Sequence, residues 1–130
     1  MAEYLDLADY LLIAEAVLDV PAETIAGWPG IGLADSALHA PAMGFSGVDF
    51  YPDLIDKAAV LCSRLARNHP LPDGNKWVAY LALLEFLARN GIDWTPPSTE
   101  ETVSIIERVA AGEISEPDLA DWLRASRPTS

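Results

Sequence analysis

The stretch His69-Pro70-Leu71-Pro72-Asp73-Gly74-Asn75-Lys76 concentrates the side chains with the clearest chemical potential in the chain. Near neutral pH an imidazole can take a proton from a hydroxyl, which makes His69 a candidate general base. Asp73 is a carboxylate whose natural partner beside a phosphate is a divalent cation, Mg²⁺. Gly74 lets the backbone approach a ligand closely. Asn75 can donate from its amide to a phosphate oxygen or cap a helix, and Lys76 supplies a point charge. Base, metal-holding carboxylate, backbone nest and cation together suit phosphoryl or nucleotidyl transfer. The same residues also make an ordinary turn, because His before Pro and Asp-Gly-Asn recur in turns without function. Residue type and spacing leave both readings open. A transition-metal site is poorly supplied, with His69 and Asp73 as its only obvious ligands.

Two elements must position this loop. After it comes the apolar run Trp77-Val78-Ala79-Tyr80-Leu81-Ala82-Leu83-Leu84-Glu85-Phe86-Leu87-Ala88. It is too long and too rich in Ala and Leu for a strand, so it reads as a helix. Being apolar on nearly every side, it reads as buried all round. Arg89-Asn90-Gly91 ends it with a cation in the last turn and a C′ glycine. Its N-terminus, with free N–H groups and a partial positive charge, suits a phosphate. Before the loop, Pro52-Asp53 opens a helix with Pro at its first position and acids in its first turn. Leu54, Ala58, Leu61 and Leu65 give that helix a core face, and it runs to about Arg67, delivering His69.

The chain is strongly acidic, with formal net charge −12. That argues against DNA or RNA as a direct ligand, since phosphate backbones are held by Lys and Arg. Locally the sign reverses. Four of the eight basic residues (Lys57, Arg64, Arg67 and Lys76) fall between 57 and 76, and no Asp or Glu lies from Lys57 to Pro72. Either this patch attracts a small anion to the loop, or it is a helix face ion-paired to acidic neighbours.

At 130 residues and 51% apolar content, the chain is expected to form one domain, 1–130, with a frayed tail from about 126. Helices are expected over 4–18, 32–40, 98–111 and 115–124, with a short helical turn near 22–26. Ser98 caps the third of these, with Glu101 completing a capping box. His39 is given a surface or capping role. Residues 41–51, punctuated by glycines and aromatics, read as a surface loop or small β-hairpin that could hold an extended peptide by strand addition. The sum is an all-α fold of about six helices. No apolar run reaches membrane-spanning length, the N-terminus lacks a basic leader, and the single Cys62 excludes an internal disulfide. A soluble cytoplasmic protein is the expectation.

The His69 to Lys76 stretch closely resembles the signature loop of the Fic/Doc superfamily. The likeness extends to Leu33 through Pro41, the Phe50-Tyr51-Pro52-Asp53-Leu54 helix start, Leu65 through Asn68, Leu87 through Gly91 and Ala111 through Ser115. It implies the Fic/Doc fold with a central buried helix and a flap at 41–51. AMP-transferring members carry glycine after Gly-Asn. Members of the Doc branch carry lysine, as Lys76 here, and are understood to transfer the γ-phosphate of ATP instead. The resemblance therefore implies a toxin kinase whose target is a threonine of elongation factor Tu, with Mg²⁺ and ATP as cofactors and a Phd-like antitoxin as partner. By motif position, His69 deprotonates the hydroxyl, Asp73 holds Mg²⁺, and Gly74, Asn75 and Lys76 form the anion hole. Arg67 is an accessory phosphate contact.

The chain departs from the pattern at Leu71, where an aromatic is usual, and at Trp77, where arginine usually contacts the nucleotide phosphates. An indole cannot replace a bidentate guanidinium. Losing such a contact costs on the order of several kcal/mol, or roughly a thousandfold in rate. The resemblance with this departure implies a detoxified or degenerate member. AMP transfer, or a catalytically dead binding module, are the alternatives.

Overall fold

The computed structural model describes residues 1–126. The Arg127–Ser130 tail, expected to fray, lies outside them. Seven α-helices and one two-stranded hairpin are present among the described residues. They are α1 (Leu7–Leu18), α2 (Ala22–Ala26), α3 (Ile31–His39), β1 (Gly44–Phe45), β2 (Val48–Asp49), α4 (Leu54–Arg67), α5 (Asn75–Arg89), α6 (Thr99–Ala110) and α7 (Glu116–Ser126). A 3₁₀ turn, Ala40–Ala42, links α3 to the hairpin. The mostly helical fold expected from the sequence is what forms. No described helix is long and apolar enough to cross a membrane.

The central helix is α4. Ten of its fourteen residues are buried, and it touches α3, α5, α6 and α7. Ala58, Ala59 and Ala66 let neighbouring helices approach closely, and Ile55, Leu61 and Leu65 fill the space between them. Asp53 caps α4 by accepting from the Ile55 N–H at 2.7 Å, so Pro52 stands outside the helix and not at its first position.

The expectation that α5 is buried all round is corrected. Val78, Ala79, Ala82, Leu83, Phe86 and Leu87 are buried, but Trp77, Leu81, Glu85 and Ala88 are exposed along one stripe. Apolar composition says that a helix can be buried; it does not say that neighbours exist on every side. Asp9 ties this helix to α1 through two hydrogen bonds from Arg89, each 2.9 Å. The Arg89 guanidinium holds the Asp9 carboxyl down at about 2.

The 41–51 segment is a hairpin, pairing Gly44 with Asp49 and Phe45 with Val48. Ser46 and Gly47 both have positive φ, 52° and 78°, as a tight primed turn requires. Phe45, Val48 and Phe50 are exposed on it. Ser98 caps α6 as expected, accepting from the Glu101 N–H at 3.1 Å. The Glu101 carboxylate accepts instead from the Trp122 indole at 2.9 Å, so no reciprocal capping box forms.

Candidate active site

The His69 to Gly74 loop is held from three sides. Within it, Asn75 closes a ring on Leu71: its Oδ1 accepts the Leu71 N–H at 3.0 Å and its Nδ2 donates to the Leu71 carbonyl at 2.8 Å. The Asn75 side chain is therefore a staple and not a helix cap. Gly74 occupies the cap position, at φ 78° and ψ 8°. From α1, Leu18 covers Gly74 so closely that a Cβ there would lie 2.9 Å from Leu18 Cδ2. From the start of α3, Gly30 admits the Pro70 carbonyl, which would stand 2.0 Å from any Cβ on Gly30.

His69 itself sits in the left-handed region at φ 49°. For a non-glycine residue this costs on the order of 1 kcal/mol and persists only where the surroundings impose it. They do: the Asn68 N–H closes on the Arg64 carbonyl at 2.9 Å, and Pro70 is buried beneath the loop. The imidazole is left exposed, with no hydrogen bond among the described residues.

A cleft of about 410 Å³ follows from this arrangement, lined by His69, Asp73, Gly74, Asn75 and Lys76, and on its far side by Glu107 and Ala110 of α6 and by Ala111, which follows that helix. The first helical hydrogen bond of α5 runs from the Val78 N–H to the Gly74 carbonyl at 3.0 Å. The N–H groups of Asn75, Lys76 and Trp77 precede it and have no helical acceptor, so the positive end of the helix borders the cleft.

The basic stretch divides. Lys57 is buried and donates to the Asp49 carboxylate and the Pro41 carbonyl, each at 3.1 Å. Arg64 donates to Glu116 at 2.8 Å and to the Tyr51 hydroxyl at 3.2 Å. These two follow the ion-paired reading. Among the described residues, Arg67, Lys76 and Arg108 have no carboxylate within ion-pair distance, while Arg89 and Arg124 do. Two of those three unpaired cations flank the loop.

Of the residues singled out in the sequence, His69, Asp73, Gly74, Asn75 and Lys76 come together. Arg67 does not join them; it lines a neighbouring cleft with Ser63, Arg64, Asn68 and Glu116. Trp77 faces away too, into a groove with Tyr80, Pro96 and Pro97. The only guanidinium of α5 is that of Arg89, in its last turn, so none borders the cleft from this helix. Leu71, the other departure from the motif, is buried and replaces the usual aromatic with aliphatic packing. Sequence reasoning missed Glu107, which reaches the cleft from another helix and carries no local signal. His39 is exposed, its Nδ1 2.8 Å from the Asp35 carbonyl. Burial pushes the Cys62 thiol up to about 12, so the lone cysteine is an inert core residue.

The donor set fits Mg²⁺ only in the company of phosphate. No group of three or more His, Cys, Asp or Glu side chains suited to a metal occurs among the described residues. Asp73 accepts the Gly74 N–H through Oδ1 at 2.8 Å, leaving its other oxygen to coordinate. One carboxylate plus substrate phosphates and water is a usual way of holding this ion.

A family model described as the Fic/DOC family matches residues 4–87. Toxin Doc of Mycolicibacterium smegmatis is 42% identical over 92 residues, covering 71% of this chain and 68% of that protein.

Proposed function

The chain belongs to the Fic/DOC family, and from that premise we propose that it is a Doc-like toxin that transfers the γ-phosphate of ATP to a protein hydroxyl. The observation that carries this reading is Lys76. It lies directly after Gly74-Asn75 in the first turn of α5, without a carboxylate partner among the described residues, in one cleft with His69 and Asp73. In the family resemblance, lysine at this position marks phosphoryl transfer.

Each residue then has a task. The N–H groups at the start of α5 and the Lys76 ammonium bind the transferring phosphate. Asn75 keeps the loop closed and so keeps those donors aimed. Asp73 would hold Mg²⁺, which when bound neutralises phosphate charge. His69 Nδ1 or Nε2, free of structural hydrogen bonds, takes the proton from the acceptor hydroxyl as the new O–P bond forms. The exposed hairpin offers main-chain groups to an extended acceptor segment. Elongation factor Tu, through a threonine, is the acceptor that the resemblance suggests, and a Phd-like antitoxin is the partner.

The alternative of a dead binding module is favoured by one observation. Position 77 carries an indole in place of the motif arginine, so the first turn of α5 supplies no guanidinium beside Lys76. Trp77→Arg is expected to restore growth arrest on expression, and a harmless revertant would contradict the idea that Trp77 detoxifies the chain. The reaction is tested with ATP labelled at the α or the γ phosphate, Mg²⁺ and a cell extract, for both the Trp77 protein and Trp77→Arg. Label passing to protein from γ alone, and lost in His69→Ala, is the expected result. Label from α would show AMP transfer, and no label from either protein would leave a binding module.

A further inference from the structure

Beside the Lys76 cleft, and separate from it, is a polar cleft of about 320 Å³ between the end of α4 and the start of α7, lined by Ser63, Arg64, Arg67, Asn68 and Glu116. Three observations set it apart. Its charge is two guanidiniums against one carboxylate, a net of +1 in a chain of −12. Arg64 is satisfied by Glu116 at 2.8 Å, so the carboxylate in the cleft is already neutralised and Arg67 remains as the surplus cation. The Ser63 hydroxyl is fully buried and has no hydrogen-bond partner. A buried hydroxyl without a partner is destabilising, so a native protein carries few of them without a reason.

We infer that this cleft is an anion subsite, distinct from the phosphate cleft at Lys76, in which Arg67, Asn68 and the Ser63 hydroxyl bind an oxyanion. A guanidinium is matched to carboxylate or phosphate oxygens by its planar fork. Arg67 is held beside Gly112, whose Cβ, if present, would lie 3.8 Å from Arg67 Nη2. The cleft starts at Asn68, next to His69, and Arg64 links it to Tyr51 at the foot of the hairpin. It therefore runs along the side on which an acceptor segment would lie between hairpin and loop. Resting on the phosphotransferase reading, the anion is an acidic side chain of the acceptor protein near its reacting hydroxyl, not a phosphate of the nucleotide. This assigns the two unpaired cations flanking the loop to two different anions, one from each substrate.

The test is a binding titration on the full chain, so its outcome does not depend on whether transfer occurs. Backbone amides are followed by NMR as inorganic phosphate is added, with and without saturating Mg²⁺–ATP. The expected result is a saturable shift of the Ser63, Asn68, Gly112 and Glu116 amides. It persists in the presence of Mg²⁺–ATP and in Lys76→Ala, and is weakened at least tenfold in Arg67→Gln. Ser63→Ala, which keeps the helix and removes only the hydroxyl, is expected to weaken it several-fold. No shift at these amides overturns the proposal. So does a shift abolished by Mg²⁺–ATP or by Lys76→Ala, because the cleft would then serve the nucleotide. Persistence of the shift in Arg67→Gln also overturns it.

Discussion

The two ends of α4 carry the same kind of residue and put it to opposite use. At the N-terminal end Lys57 is only 2% exposed, and its ammonium is shared between Asp49 and the Pro41 carbonyl, so its charge holds the hairpin to the core. At the C-terminal end Arg67 is exposed and unpaired among the described residues, next to a histidine held in the left-handed region. A cation with partners is part of the scaffold; one left without partners, beside strained backbone, is available to a ligand. The difference comes from what packs against each end. The hairpin and 3₁₀ turn cover Lys57, whereas the end of α4 opens onto clefts on either side of the loop.

That contrast can be broken at defined points. The largest effect is expected from Gly30→Ala. The new methyl would collide with the Pro70 carbonyl, which has no flexible end to yield, and the loop must shift. A displacement near 1 Å costs on the order of 100-fold in rate, so phosphate transfer measured in the Trp77→Arg background should fall about that much while far-UV circular dichroism stays helical. Unchanged transfer would show that the loop position is not critical. Next is Lys57→Met, which fills the same space but leaves the buried Pro41 carbonyl unpaired. A loss of about 2 kcal/mol, or a fall in Tm of roughly 6–10 °C, is expected. Hydrogen exchange should quicken in the hairpin and not at the start of α5. Equal quickening at both would erase the distinction between the two ends. The smallest effect concerns the α1–α5 tie. Arg89 lowers the Asp9 carboxyl from 3.8 to about 2, so its stabilisation is complete above the unfolded value and is lost as pH falls through the folded one. Wild type should therefore lose stability between about pH 4 and pH 2 more steeply than Asp9→Asn, by under about 1 kcal/mol because the pair is partly exposed. Parallel acid-unfolding curves would show the tie contributes nothing.

Much of this was legible in the chain. The helices, the glycine-punctuated 41–51 segment, read as a surface loop or small hairpin, and the sequence His69 to Lys76 all follow from local signals: caps, turn residues and periodicity. The directions of side chains do not. Trp77 adjoins Lys76 in sequence, yet successive helical residues point about a quarter-turn apart, so one faces the cleft and the other a proline-lined groove. Arg67 belongs to the same basic stretch but enters a different cleft because the loop turns between it and Lys76. Glu107 lies on α6, and only packing brings it to the cleft. The prominence of α5 misled for a related reason: its apolar length was visible, but α4, with its alanines and charged end, is the helix that neighbours surround.

The role proposed for Lys76 is that of a ligand-binding cation and not of a scaffold residue. It is tested most directly by measuring γ-phosphate transfer and Tm together for Lys76→Ala, in the Trp77→Arg background. Transfer is expected to fall by at least a hundredfold while Tm moves by no more than about 2 °C, because surface residues without partners contribute little to stability. Retained transfer, or a large fall in Tm, would contradict it.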